Sequence, residues 1–328
     1  MPELYPLLFE PTFKDYVWGG KNLESYLAHN VPEGKIAESW EVAAHPDGQS
    51  RVTNGHYAGL TLGELHERLG LALIGYHSSW AQERGRFPLL VKVLDAQERL
   101  SVQVHPSDQY AAENEGGELG KSEMWVILEA TRDAAVILGL AKATTKSRFV
   151  KGAQGDDLGD YLHRVPVSKG DFLCVPSGSL HAILGGAIIA EIQQNSNVTY
   201  RVYDWGRNEP DRPLHLEKAA DVINFDLIEP GVGLASSLPA GAAIHRERLC
   251  RNQYFVVERW RLPADTVYQG YNDGSTMEIW AALEGGLDIN GIAVDPIRFV
   301  LLPAALGAFT LSAASDSLAL RAYVPAER

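Results

Sequence analysis

The chain has 328 residues, 45% of them hydrophobic, enough for a full globular core and too many for one small unit. Its formal net charge is −13 with no compensating run of Lys and Arg, which argues against nucleic acid and anionic membrane as partners. No apolar run approaches the length of a membrane span.

Residues 1–59 read as short strand-like pieces and turns, two of them carrying tryptophan: 16–20 (Y-V-W-G-G) and 37–42 (A-E-S-W-E-V). Thr61-Leu62-Gly63-Glu64 is a capping-box pattern, followed by Leu65 and Leu69 at helical spacing, and Gly70 can end that helix. A second short helix is expected over 72–81, so a helical insertion covers about 60–85. His66 and His77 read as surface residues there. From Pro88 onward strands return: 89–94, then 100–105 (L-S-V-Q-V-H), ended by Pro106. A short helix from Ser107 and Asp108 is broken at Gly116-Gly117. Strands follow at 123–128 and 135–140. The stretch 165–175, interrupted by Lys169-Gly170-Asp171, reads as a hairpin with a Gly-Asp turn. Pieces at 180–183, 187–193 and 198–203 precede a helix over 216–225.

Residues 229–243, with Pro230, Gly231, Gly233, Pro239 and Gly241, form the expected linker. Beyond it lie more short strands. The fold class is therefore mainly β: two jelly-roll units with a small helical insertion. The expected division is a metal-binding unit over 1–228, the linker, and a β unit without metal ligands over 244–328. Cys174 and Cys250 are far apart and outside any metal-type spacing. Two separate buried thiols in a reducing cytoplasm are expected. Residues 1–13 lack the basic-then-apolar order of a signal peptide, which also reads as cytoplasmic.

Side chains alternate across a strand, so Gln103 and His105 share one face while Val102 and Val104 share the other. Glu123 opens the strand after the glycine loop, and His181 follows a tight Pro-x-Gly turn. If these strands converge inside a jelly roll, two imidazoles, an amide oxygen and a carboxylate make an N/O set. Such a set suits Zn²⁺, with Mn²⁺, Fe²⁺ or Co²⁺ also able to bind. The absence of sulfur favours a catalytic over a closed structural zinc. Lys121 and Arg201 would add positive charge locally, so an anionic small substrate can bind an otherwise acidic protein. Ser101 shares the face of Gln103 and can reach substrate. His45, His56, His163 and His215 are placed in loops and turns and given no role.

The run K-G-D-F-L-C-V-P-S-G-S-L-H-A (169–182) resembles a cupin-type jelly roll. Together S-V-Q-V-H-P, K-S-E and H-A-I-L-G-G-A-I-I-A-E-I-Q-Q-N-S-N-V-T-Y-R-V-Y-D-W-G-R resemble type I mannose-6-phosphate isomerases in their shorter bacterial form. The resemblance covers most of the first 225 residues, with D-Y-V-W-G-G and A-E-S-W-E-V agreeing. It implies one Zn²⁺ per chain held by Gln103, His105, Glu123 and His181, with Arg201 as the active-site arginine. Lys121 matches a lysine of the long-form motif N-H-K-P-E, whose histidine is missing here, so no ring-opening role carries over. The implied reaction interconverts mannose 6-phosphate and fructose 6-phosphate through an enediolate, whose charge Zn²⁺ and Arg201 would stabilise. Glu191, Lys121 and a metal-bound water are candidate bases, and a hydride shift stays open. Two rivals are an Fe²⁺ cupin oxygenase and a sugar-binding protein that has kept the fold without turnover. Oxygen consumption distinguishes the first and a coupled isomerase assay the second.

Overall fold

The computed structural model describes residues 3–27, 30–155, 158–207, 212–239 and 244–326. Four main sheets, all with antiparallel pairing, stack in layers. The central six-stranded sheet runs Phe172–Val175, Glu123–Ala130, Ala187–Gln194, Leu89–Ala96, Glu38–Val42, Thr12–Lys14. Facing it is a five-stranded sheet of Leu162–Pro166, Ala135–Leu140, His181–Ile183, Val102–Val104 and Tyr200–Tyr203. These two make the first jelly roll. The second pairs an eight-stranded sheet, containing His245–Arg251, Val256–Leu262, Ser317–Tyr323 and Glu278–Glu284, with a four-stranded one built on Thr266–Asn272 and Gly307–Ala313.

The central sheet is covered on both faces, which is why Leu89–Ala96 and Ala187–Gln194 are buried at every residue. One face carries Val91, Val93, Met124, Val126 and Ile192 against Phe255, Val257, Ile279 and Leu301 of the second unit. The other carries Leu94, Trp125, Ile127 and Ile189 against Val136, Leu138 and Ile183 of the five-stranded sheet. That second sheet turns Val102, Val104, Ala182, Tyr200 and Val202 outward, under Phe149, Ala219 and Ile223. Period-2 alternation thus leaves Gln103, His181 and Arg201 facing inward. The covering helices are Lys146–Gln154, capped by the Thr145 hydroxyl, and Leu216–Val222. The first of these was not expected from the sequence.

Several expectations change. The segment 165–175 is not a hairpin: Leu162–Pro166 pairs with Ala135–Leu140, whereas Phe172–Val175 pairs with Glu123–Ala130 in the other sheet. The Gly-Asp turn is real, but it carries the chain from one layer to the next. Residues 16–20 form a turn with Gly19 and Gly20 in isolated bridges, not a strand. The capping box forms as expected, Thr61 Oγ1 accepting from Glu64 N at 3.2 Å and Glu64 Oε2 from Thr61 N at 2.8 Å. The helix expected over 72–81 is split into Leu71–Ile74 and Ser79–Glu83. Gly75 divides them at φ +83°, where a Cβ would lie 2.4 Å from the Ser275 carbonyl oxygen of the second unit. His66 is buried, not a surface residue, with Nε2 2.9 Å from Gln82 Oε1. His77 is half-buried and contacts the Val324 carbonyl. His45 and His163 lie in strands rather than loops.

The two cysteines are not separate thiols. Phe172–Val175 and His245–Arg251 pack together, and Cys174 and Cys250 are joined in a disulfide with Cα atoms 6.0 Å apart. Within the expected linker, Ser236–Leu238 forms an edge strand on His245–Arg251, and residues 240–243 lie outside the described residues. Leu7–Glu10 and Arg51–Val52, from the start of the chain, extend the second unit's eight-stranded sheet.

Candidate active site

Strand register assembles the site before any side chain is considered. In the five-stranded sheet His181, Gln103 and Arg201 are cross-strand partners in one row. In the central sheet Trp125, Glu191, Lys92 and Trp40 form another. The rows face each other across a cavity of about 390 Å³. Ser101, Gln103, Lys121, Glu191 and Arg201 line it, as do Tyr16, Trp18, Glu38, Lys92, Arg212 and His215. His105, Glu123 and His181 form a buried cluster in contact with Gln103 and Lys121 of that lining, their ligand atoms within 4.8 Å of one another. Every residue singled out for chemistry from the sequence is therefore in or beside one cavity.

The cluster is a set of lone pairs. His105 Nδ1 donates to the Val198 carbonyl at 2.8 Å, and His181 Nδ1 donates to the Ser179 carbonyl at 2.9 Å. A carbonyl only accepts, so each ring carries its proton on Nδ1 and leaves Nε2 bare. The bare nitrogens lie 3.6 Å and 3.3 Å from the Glu123 carboxylate oxygens. Burial, then the Lys121 charge, holds the His105 imidazole well below its ordinary pKa. Burial likewise pushes His181 down to about 4. Both are neutral at pH 7, as metal ligation requires. Gln103 brings its amide to 3.3 Å from His181 Nε2, with its other end on the Ser101 hydroxyl at 3.2 Å. A half-turn of the amide places oxygen toward His181, and a hydroxyl can serve either end. Two imidazole nitrogens and a carboxylate, acceptors gathered at one point, fit a divalent cation, and the Gln103 oxygen joins them once its amide is turned.

A chain of alternating charge surrounds this cluster. Lys121 Nζ lies 2.6 Å from Glu123 Oε2 and 3.0 Å from His105 Nε2. Glu191 Oε1 is 3.8 Å from both Lys121 and Lys92, and Lys92 reaches Glu38 at 3.3 Å. Burial alone would depress the Lys92 ammonium, but Glu38, Glu191 and Glu123 outweigh it and hold its pKa up. Burial, then the Glu123 charge, raises Glu191. Glu191 Oε2 accepts from Trp125 Nε1 at 3.1 Å, whereas Oε1 has no hydrogen bond among the described residues.

Lys92, Glu38, Arg212 and His215 were not anticipated. Lys92 did leave a signal: a single charge inside the apolar run Leu89-Leu90-Val91-Lys92-Val93-Leu94. A buried lysine needs partners, and only a site or a buried ion pair supplies them. His215 had no such signal. Its role depends on the chain folding back along Tyr200–Tyr203, where His215 N bonds the Arg201 carbonyl at 2.7 Å. Asp204 does not neutralise Arg201 by an ion pair; it holds Arg207 and Arg212 instead.

A family model for the catalytic domain of type I phosphomannose isomerase matches residues 7–133, which include Lys92, Gln103, His105, Lys121 and Glu123. Across nearly its whole length the chain is 38% identical to the mannose-6-phosphate isomerase ManA of Bacillus subtilis, with 95% of this chain and 98% of that one covered. The chain belongs to the type I phosphomannose isomerase family. A mannose-6-phosphate isomerase of Streptococcus mutans is 37% identical, covering 80% of this chain and 81% of that relative. The crystal structure of the Bacillus subtilis mannose 6-phosphate isomerase superposes with a TM-score of 0.86 at 33% identity, covering 97% and 99% of the two chains. At 21% identity, an Archaeoglobus fulgidus structure described as a putative mannosephosphate isomerase shares the fold with a TM-score of 0.75. The isomerase fold, with its two jelly rolls, thus extends through both units of this chain.

Proposed function

We propose that this phosphomannose isomerase interconverts mannose 6-phosphate and fructose 6-phosphate as a zinc enzyme, by proton transfer through a cis-enediolate. The observation that carries the metal assignment is the pair of bare Nε2 atoms turned on the Glu123 carboxylate. His105, His181, Glu123 and Gln103 would hold one Zn²⁺. When bound, the metal supplies Lewis-acid polarisation at the sugar carbonyl.

Glu191 acts as the base. It removes the proton from C2 of the open-chain aldose and returns it to C1, while the hydroxyl proton passes from O2 to the adjacent O1 of the cis-enediolate; the reverse reaction uses the same group. Its Oε1 is the oxygen without a hydrogen bond, while Trp125 fixes Oε2 and so the plane of the carboxylate. Lys92 and Lys121 keep positive charge on either side as negative charge moves onto the sugar oxygens. Lys121 lies between the base and the metal ligands, and so contributes both to catalysis and to substrate binding. Ser101 orients Gln103 and can reach a sugar hydroxyl. Tyr16, Trp18, Leu94 and Leu100 make the less polar wall on which a sugar ring can lie. Elemental analysis beside a coupled isomerase assay tests the reading. Zinc near one per chain is expected, with turnover lost on chelation and restored by Zn²⁺. Full activity in a metal-free preparation would refute it.

A further inference from the structure

Cys174 and Cys250 make the one covalent cross-link between the two units. A chain of 328 residues with a packed core in each unit has no need of a bridge to complete a core, as small disulfide-dense domains do. The bridge instead sits where it bears on the metal-ligand cluster. Phe172–Val175 is the edge strand of the central sheet, paired on one side only, with Glu123–Ala130. An edge strand held by a single ladder is among the first parts of a sheet to open. Cys174 lies opposite Met124, and Val175 opposite Glu123. The chain then enters the turn before His181. There Ser177 N donates to Ser122 Oγ at 3.1 Å, Gly178 N donates to the His105 carbonyl at 2.8 Å, and the Ser179 carbonyl accepts from His181 Nδ1 at 2.9 Å. Between Cys174 and His181 the chain therefore meets every residue of the cluster. On the side of the second unit, the ladder of His245–Arg251 is irregular between Arg248 and Cys250, and the Leu249 carbonyl oxygen lies 3.7 Å from Cys174 Sγ. That carbonyl can accept from the Cys174 thiol when the bridge is open, so the dithiol and the disulfide both have a place in the fold. Cys250 is buried and Cys174 only half-buried, so exchange with an outside thiol begins at Cys174.

We propose that Cys174 is a site of thiol–disulfide exchange with small thiols and disulfides, and that closure of the Cys174–Cys250 bond secures the metal-ligand cluster. Opening takes two steps. A small thiolate attacks Cys174 Sγ, the bond to Cys250 breaks, and the Cys250 thiolate takes up a proton. A second small thiolate then attacks the small molecule's sulfur in the mixed disulfide, which releases a small disulfide and frees the Cys174 thiol. Two electrons and two protons pass to the protein, and closure is the reverse with the small disulfide as oxidant. The link to metal retention rests on the zinc reading above, whereas the exchange itself does not.

The test counts thiols by alkylation and intact mass after equilibration in mixtures of reduced and oxidised glutathione. Two alkyl groups are expected at the reducing end and none at the oxidising end. Cys250→Ser should take one glutathionyl group at Cys174 from oxidised glutathione, and Cys174→Ser should take one at Cys250 far more slowly. In metal-free protein, opening the bond should lower Tm by on the order of 5–10 °C, the weight of a closure across 76 positions in a chain of this size. In zinc-loaded protein, zinc should pass to a chelator on the order of tenfold faster with the bond open. Cys250→Ser should match the reduced protein on both measures and no longer respond to the glutathione mixture; Cys250→Ala serves if Cys250→Ser fails to fold. Thiol counts that stay constant across the mixtures would overturn the proposal. So would a bond that opens with Tm and zinc release unchanged. Wild-type protein that holds no zinc, yet shows the expected thiol counts and Tm shift, would instead refute the zinc reading and leave the exchange site in place.

Discussion

Replacing Glu191 by Gln isolates the proposed base with little other disturbance. Gln has the same shape and can still accept the Trp125 Nε1 bond, so the side chain should stay in place. The substitution removes a buried negative charge from between two buried lysines. Stranding a buried charge typically costs about 3–5 kcal/mol. Here each lysine keeps a nearer carboxylate: Lys92 has Glu38 at 3.3 Å and Lys121 has Glu123 at 2.6 Å, against 3.8 Å to Glu191. The lost attraction is also offset by the smaller desolvation of a neutral amide. Stability should therefore change by only about 1 kcal/mol. Turnover should fall far more, by ~10²–10⁴ in kcat, the usual contribution of a positioned general base. KM should change little, and zinc content should stay near that of the parent. The assay is coupled steady-state kinetics in both directions, since one base serves both. A kcat within about threefold of wild type would remove Glu191 as the base and direct attention to Lys121.

Three further outcomes are expected. Lys92→Met should lower both turnover and stability, because it leaves the buried Glu38 and Glu191 without their shared cation; a loss of about 3–5 kcal/mol is expected by denaturant unfolding. Acid should destabilise the fold through buried His45 and His66, whose pKa values are depressed by burial. Their neutral forms are favoured in the folded state, so their contribution is fully present above the unfolded pKa of about 6.5 and is lost as pH falls through the lower folded values. Thermal melts across pH should show this, and His66→Gln should make the decline shallower. Limited proteolysis should cut first within 229–235, where Leu234 is 91% exposed. The two fragments should migrate together on a non-reducing gel and separate on a reducing one, because Cys174 and Cys250 lie on opposite sides of the cut.

Much of the site was legible because strand periodicity is local. Alternation alone placed Gln103 and His105 on one face, and the same rule puts Glu123 with Trp125 and Glu191 with Gln193 on the inner face of the central sheet. The capping box at Thr61 was equally readable, since its partners lie three residues apart. What the local pattern could not decide was which strand lies beside which. Phe172–Val175 and Leu162–Pro166 looked like the arms of one hairpin, yet they join opposite layers because each completes a different sheet edge. The same long-range pairing joined Cys174 to Cys250 and surrounded Lys92 with carboxylates from three separate stretches of chain. It also folded the Arg212–His215 return back onto Arg201. The sequence by itself determined the kinds of ligand available and the face each would take. Only tertiary structure decided the opposing rows, because a row pairs residues 98 or 99 positions apart, such as Gln103 with Arg201 and Lys92 with Glu191. No local propensity acts over that distance; burial of both faces of the central sheet selects the register.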